Sequence, residues 1–424
     1  MSDHLTRQSR SAGWAKLRNL ENRVFTARNL RFYGPGFAVA NITALVLAFF
    51  HGNWLFGPDG KLSCIDFGFL WLSGKFAALS DPSVIYDLAK FGAAQTDLFG
   101  QTSCVLIHHF EYPPVLLFFT WPIGQMPYFW AFAVWNSVLL ALYLAVAYVI
   151  VPRAVTIVAA LTPFAVARDL QLGHNGLLTA GLIGLPLALL ERKPYLAGAV
   201  LGLLTYKPQF GLLFPVALLA SRNWRALSGA AASSIALAFA AALVFGARTW
   251  PSFFVALGVR SPTLSPEPAV TLRLQSVYGL LQWGGAGVPA SLAIHIVIAL
   301  MMAVAVWVVW ARPYPHALRA SVLCIGCLVV NPYLLEYDFC VLTMAAAFLI
   351  RDGLSRGFLP GERAAVVIGW IALIWLHVRV GPVIFCGIML FVIYRRVAAL
   401  GADSRALPST PGSTELDAAQ AAAI

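Results

Sequence analysis

Residues 128–151 read YFWAFAVWNSVLLALYLAVAYVIV and carry no charged side chain. As an α-helix this stretch would extend roughly 36 Å, enough to cross a hydrocarbon core of about 30 Å. Backbone in lipid has no water to bond to, so a spanning segment must satisfy its own N–H and C=O groups. A barrel strand would alternate polar and apolar residues, and this stretch does not. It reads as a transmembrane helix. The same reading holds for 226–247, also uncharged, and for 288–311, whose single ionisable group is His295. Of the 424 residues, 60% are hydrophobic and 11% charged. A soluble domain carries roughly a quarter charged residues, so lipid must be the solvent for much of this surface.

The chain is therefore read as an all-α polytopic membrane protein. About twelve crossings are expected, centred on 35–56, 128–150, 154–168, 174–190, 194–207, 208–221, 225–247, 288–311, 316–331, 334–350, 363–378 and 381–394. The apolar stretch 113–125 is broken by Pro113, Pro114 and Pro122 and is expected to dip rather than cross. The formal charge of +11 would suggest nucleic acid for a soluble protein; here basic loops that set orientation explain it. With the N-terminus inside, 20 of the 29 basic residues fall on the inner segments. The expected layout is a basic cytoplasmic arm (1–34), one membrane domain (35–397) and a cytoplasmic tail (398–424) whose composition suggests disorder. Two long outer loops, 57–111 and 248–287, interrupt the domain. Residues 1–31 lack the apolar core and cleavage site of a secretory signal. Cys324 and Cys327 read as small core residues, whereas Cys64 and Cys104 share the first outer loop, where a disulfide is possible.

Against this background, ionisable groups near membrane depth need explaining. In the first outer loop, 67–79 suits an amphipathic helix on the membrane surface, with Asp66 at its N-cap. Asp66 is either a helix cap or a catalytic carboxylate. Arg168-Asp169-Leu-Gln171-Leu-Gly173-His174-Asn175 is either a polar turn or a site for a headgroup or sugar hydroxyls. Tyr206-Lys207-Pro208-Gln209 interrupts apolar sequence, and the proline breaks the helix. Lys207 either snorkels to the interface or offers an anion site. The second outer loop holds Arg260, Arg273, Gln275, Ser276 and Tyr278, with prolines at 262, 266 and 268 that suggest an irregular lid. Asn331-Pro332-Tyr333-Leu-Leu-Glu336-Tyr337-Asp338 forms another polar helix end. His108-His109-Phe-Glu111-Tyr112 could position substrate or hold a metal, although adjacent loop histidines are a weak metal signal. No phosphate-binding glycine loop, dinucleotide fingerprint, serine-hydrolase or zinc-protease motif occurs. An enzyme built this way would take a membrane-borne activated substrate.

In order and spacing, four blocks resemble glycosyltransferase family 87, a family of GT-C-type membrane enzymes. They are Asp66-Phe…Trp71…Gly74 with Asp81-Pro82 and Tyr86; Glu111-Tyr112-Pro113-Pro114 to Pro122; Gly173-His174-Asn175 with Ala197-Gly198…Gly202 and Lys207-Pro208-Gln209; and Gln275-Ser276-Val-Tyr278-Gly279. His174 departs from the family's more usual glutamine. The resemblance implies a polyprenyl-phosphate sugar donor, with mannose favoured, and a lipid or glycan acceptor on the periplasmic side of a bacterial inner membrane. It implies Asp66 as catalytic base. Lys207, Arg273 and Arg168 would then meet the donor phosphate. Asp169, His174, Asn175, Gln209, Gln275, Tyr278, Glu111, Tyr112 and Asp338 become substrate-binding candidates. One carboxylate suits direct displacement with inversion. No cofactor is expected, with a divalent metal shared by Asp66 and Asp169 left open. A transporter or flippase for a lipid-linked or anionic solute and a non-catalytic envelope scaffold are the competing readings.

Overall fold

The computed structural model describes residues 15–406 except 17–18, 24–26, 53, 57–59, 61, 80, 100–109, 261–272 and 375–380. Helices dominate; the described residues hold no strand beyond an isolated bridge between Phe56 and Leu62. From the N-terminal end the helices are α1 (Ala27–Phe50), α2 (Asp66–Phe76), α3 (Leu88–Phe99), α4 (Leu117–Gly124), α5 (Tyr128–Ile150) and α6 (Ala154–Ala160). Then come α7 (Phe164–Leu172), α8 (Gly176–Leu189), α9 (Pro194–Gly202), α10 (Leu213–Ala220), α11 (Trp224–Phe245) and α12 (Thr249–Arg260). The chain continues with α13 (Val277–Trp283), α14 (Val288–Trp310), α15 (His316–Val329), α16 (Cys340–Arg356), α17 (Glu362–Ile374) and α18 (Gly381–Ala406).

Burial is inverted relative to a soluble protein. Ile235 and Leu243 on α11 are each 69% exposed, and Leu300 and Met301 on α14 are exposed as well. Asp169 and Asn175 are fully buried. Apolar outer surface with ionisable groups inside is what a lipid solvent selects. By length and composition, α5, α11, α14 and the Gly381–Gly401 part of α18 can each cross a bilayer. Helices α6 and α7, bent by 65° at 161–163, form either a fifth, broken span or a re-entrant loop. Six shorter apolar helices of 10–17 residues accompany them among the described residues.

Several expected crossings are thus bent or half-length. Pro194–Tyr206 and Pro208–Ala220 are separate helical segments, each about 20 Å long. Pro208 lacks an N–H and disfavours helical backbone at Lys207, so the two segments break there. The stretch Pro114–Gly124 is likewise only about 16 Å long. Helix α2 departs from the amphipathic surface helix expected. Its residues Asp66 to Gly74 are all buried, so protein surrounds it on every side rather than lipid on one. The cause is a close crossing with α4. A Cβ on Gly74 would lie 2.0 Å from the Thr120 carbonyl oxygen, and one on Gly124 would strike Gly74. Ser73 Oγ reaches Thr120 Oγ1 at 3.1 Å across the same contact. Helix α3 is the amphipathic one, burying Phe91, Gln95 and Phe99.

Two further features fix the bundle. Helix α9 meets α11 through Gly198, Gly202 and Gly229, the small-residue packing common between membrane helices. Elsewhere, Arg396 of α18 donates to Asp352 of α16 and Glu362 of α17, joining three helices through a buried ion network. Helix α18 continues to Ala406, beyond the expected start of the tail at 398; residues 407–424 lie outside the described residues. Cys324 and Cys327 are buried and free, as expected of core residues. Cys64 is disulfide-bonded, and Cys104 lies outside the described residues.

The α9–α11 contact gives a stability test. A Cβ on Gly198 would lie 2.1 Å from the Ala226 carbonyl oxygen, whereas one on Gly258 meets nothing within 4 Å. Gly198→Ala should destabilise by about 1–3 kcal/mol through overpacking. Gly258→Ala should be neutral or stabilising. Thermal melting in detergent compares the two, and equal midpoints would contradict the packing assigned here.

Candidate functional site

The polar groups singled out in the sequence converge on a set of helix ends. Helix α7 ends at Gly173, whose φ of 64° is left-handed and suits glycine. The N–H groups of Gly173 and His174 both reach the Asp169 carbonyl, at 2.8 and 3.2 Å. That turn reverses the chain into α8. The Asp169 carboxylate then accepts from the N–H groups of Gly176 (2.7 Å) and Leu177 (3.3 Å) at the start of α8. Asp169 is thus an N-terminal anchor for α8, with both oxygens engaged. Gly176 is required there, because a Cβ would lie 2.2 Å from the Tyr337 carbonyl oxygen.

His174 and Asn175 face the other elements. The His174 ring stacks on Tyr337 at 3.8 Å between centroids, and its carbonyl accepts from Trp135 Nε1 at 2.9 Å. Its Nε2 lies 3.3 Å from the Tyr112 hydroxyl. Asn175 donates from Nδ2 to that same hydroxyl at 3.1 Å. Its Oδ1 accepts from Lys207 Nζ at 3.1 Å. Lys207 in turn donates to Asp338 Oδ1 at 2.6 Å, and Asp338 Oδ2 accepts from the Leu335 N–H at 3.0 Å. Lys207 is 5% exposed and Asp338 2%. Neither snorkelling nor an open anion site describes this lysine. It sits inside the protein at a helix break, with its charge matched by a carboxylate.

A second charged group is more open. Arg168 Nε donates to Glu336 Oε1 at 3.0 Å, and Arg273 lies 3.7 Å from the same oxygen. The Arg168 and Arg273 side chains are 27% and 35% exposed, against 6% for Lys207. Two guanidiniums therefore share one carboxylate. Burial of the Arg273 guanidinium favours its neutral form, but Asp66 and Glu336 outweigh that and hold its pKa above the ordinary value. At Tyr333, burial first and then the charges of Glu111 and Asp66 push the phenol up, while Arg273 opposes them. These couplings bring Asp66, Glu111, Arg273, Tyr333 and Glu336 into one electrostatic neighbourhood.

Asp66 is buried and is the first residue inside α2; Ile65, extended and without a capping side chain, holds the position before it. The Gln275-Ser276 block docks on the 331–334 turn. Gln275 N–H donates to Leu334 O at 2.9 Å, and Ser276 Oγ both donates to Pro332 O and caps α13 by accepting from Gly279 N. Tyr278 is buried in α13. Gln209 is only partly buried, in the turn after Lys207. Among the described residues no group of three His, Cys, Asp or Glu side chains could hold a metal ion, and His108 and His109 lie outside them. The Arg260 side chain and Pro262, Pro266 and Pro268 also lie outside the described residues.

Glu336 and Tyr337 were not among the site residues expected from the sequence. Their block was visible as a polar helix end, but a carboxylate that joins two distant arginines has no local signature. The sequence model of glycosyltransferase family 87 matches residues 110–332. That range includes Glu111, Arg168, His174, Lys207, Arg273 and Gln275; Asp66 precedes it and Asp338 follows it. No curated protein and no solved structure matches the chain.

The buried pair yields a direct test. Lys207→Ala leaves the Asp338 carboxylate uncompensated and should destabilise by about 3–5 kcal/mol. Lys207→Met combined with Asp338→Leu removes both charges and should melt well above Lys207→Ala. A double-mutant cycle on thermal unfolding reads the coupling, and additive effects would refute the pairing.

Proposed function

The chain belongs to glycosyltransferase family 87, and from that premise we propose that it moves a hexose or pentose from a polyprenyl-phosphate donor to a lipid or glycan acceptor. Mannose is the favoured sugar, by resemblance to the family. The fold is read as GT-C-type with about twelve crossings, some of them broken. The positive-inside bias favours both termini in the cytoplasm of a bacterial inner membrane and the site on the periplasmic side.

One observation carries this reading: a buried carboxylate, Asp66, lies in the field of an arginine that shares Glu336 with a second arginine. The proposed step needs both parts. Asp66 accepts the acceptor hydroxyl's proton as its oxygen bonds to the anomeric carbon. The bond from that carbon to the donor phosphate oxygen breaks, and the electron pair leaves with the polyprenyl phosphate. Direct attack from the opposite face inverts the anomeric centre. The leaving phosphate is already ionised, so it requires cations rather than a general acid. Arg168 and Arg273 suit this role, because guanidiniums match phosphate oxygens in a bidentate fork and these two are more exposed than Lys207.

Lys207 takes a different part from the phosphate contact first expected of it. Its charge is matched by Asp338, and it positions Asn175, which in turn holds Tyr112. Asp169 likewise supports the turn that presents His174 and Asn175. Tyr112, His174, Asn175, Glu111, Gln209, Gln275 and Tyr278 remain candidates for sugar or acceptor contacts.

Purified protein assayed with a radiolabelled polyprenyl-phosphate sugar tests the assignment. Asp66→Asn should reduce transfer at least about 10²-fold with an unchanged melting temperature, since general-base catalysis contributes about 10²–10⁴-fold. Arg273→Gln should lower transfer about 10- to 100-fold, the scale of one charge-assisted contact. Full activity in Asp66→Asn would overturn the catalytic assignment. Inactivity of the wild type across a donor panel would favour transport or scaffolding.

A further inference from the structure

Three helical segments lead away from the site and end together on its far side. Helix α8 runs from Gly176, which Asp169 anchors, to Leu189. The segment after Lys207 runs from Pro208 to Ala220. Helix α15 starts at His316 and ends at Val329, just before Asn331. Between their distant ends lies a cavity of about 430 Å³, lined by Glu191, Arg222, Trp224, Arg225, His316 and Arg319 among others. Its lining carries three arginines and one carboxylate.

The cavity is built rather than incidental. Arg222 has φ of 54°, the one non-glycine residue with positive φ among the described residues. It follows α10 in a Schellman turn: its N–H reaches Leu219 O at 3.0 Å, and the Asn223 N–H reaches Leu218 O at 2.9 Å. Glycine is the usual occupant of that position, because an L side chain there is strained. An arginine held at a glycine position points to a use for its side chain. Arg319 is held over the Trp310 ring at 5.4 Å, and Trp310 Nε1 donates to its carbonyl at 2.9 Å. The buried Arg319 Nε has no hydrogen-bond partner among the described residues. His316 Nε2 donates to Leu187 O at 2.6 Å, which fixes its ring beside α8.

Arginines kept only to set orientation require charge alone. They need not converge on a cavity or occupy a strained turn. Trp224, at the cavity wall, is 60% exposed, and Tyr195 at the start of α9 is exposed as well. Exposed aromatics of this kind mark the headgroup level of a bilayer. We propose that the cavity binds a phosphate ester, the headgroup of an anionic lipid in the leaflet opposite the carboxylate site. Basic pockets between membrane helices are suited to such headgroups, and guanidiniums bind phosphate with charge-assisted hydrogen bonds.

Native mass spectrometry of the full chain, titrated with phosphatidylglycerol, phosphatidylcholine or inorganic phosphate, tests this. The wild type should retain phosphatidylglycerol at least tenfold better than phosphatidylcholine, and millimolar inorganic phosphate should not displace it. Arg222→Gly should cut that retention at least tenfold while the protein without added lipid melts no lower, since glycine relieves the turn. Arg225→Gln with Arg319→Gln should cut retention too, without touching the turn. Arg312→Gln, an exposed arginine outside the cavity lining, should leave it unchanged. Undiminished retention in both cavity variants would overturn the site. Equal loss in Arg312→Gln would reduce it to general surface charge. Displacement by inorganic phosphate would make it a free-anion site and overturn the lipid assignment.

Discussion

The ion pair between Lys207 and Asp338 is the constraint from which the rest of the candidate site follows. An isolated charge at this depth would be prohibitive, and the pair is tolerable because further hydrogen bonds support both partners. Asn175 takes a second hydrogen of the ammonium, and the Leu335 N–H takes the second carboxylate oxygen. Each completion fixes another piece of chain. Through Asn175 the pair holds Tyr112 beside His174. Through Leu335 it sets the turn that carries Glu336 and Tyr337. The arginines that meet Glu336 therefore depend, at one remove, on a lysine that touches neither.

The same economy explains why the site is made of helix ends. A continuous helix has no spare backbone donors and presents side chains only on its cylinder. Here α7 stops at Gly173, the chain after α9 stops at Lys207, and α15 stops at Asn331, so three breaks meet. Each break is written in local chemistry: a left-handed glycine, a proline, an asparagine followed by proline. Asp169 then serves two termini, because its backbone carbonyl closes α7 while its carboxylate opens α8. Irregular backbone at membrane depth survives only where protein supplies such partners.

Sequence reasoning reached the membrane class because charge-free stretches such as 128–151 leave no alternative. It also found the blocks that meet at the site, since ionisable residues inside apolar sequence announce themselves. It could not say which cations were already matched. Lys207 looked available in one dimension and is paired in three with a residue far along the chain. Helix α2 misled for a related reason: its pattern suits a surface helix, but the Gly74–Gly124 crossing buries both faces, and no single-strand pattern encodes a partner's close approach. The cavity at Arg222 was equally invisible, since those arginines match the orientation bias and only the backbone at residue 222 distinguishes them.

A buried cation and a half-buried cation do different work even when their formal charges are equal. Lys207 has lost its water and regained the difference from Asp338, so a phosphate could attract it only by breaking a bond that the fold needs. Arg168 and Arg273 keep part of their side chains exposed, so the anion proposed for them would not have to displace a buried partner. The same distinction applies at the far end, where Arg222, Arg225 and Arg319 line one cavity with the carboxylate of Glu191. In both places the exposure of the guanidiniums, rather than the number of basic residues, separates a group proposed to receive an anion from one that holds the protein together.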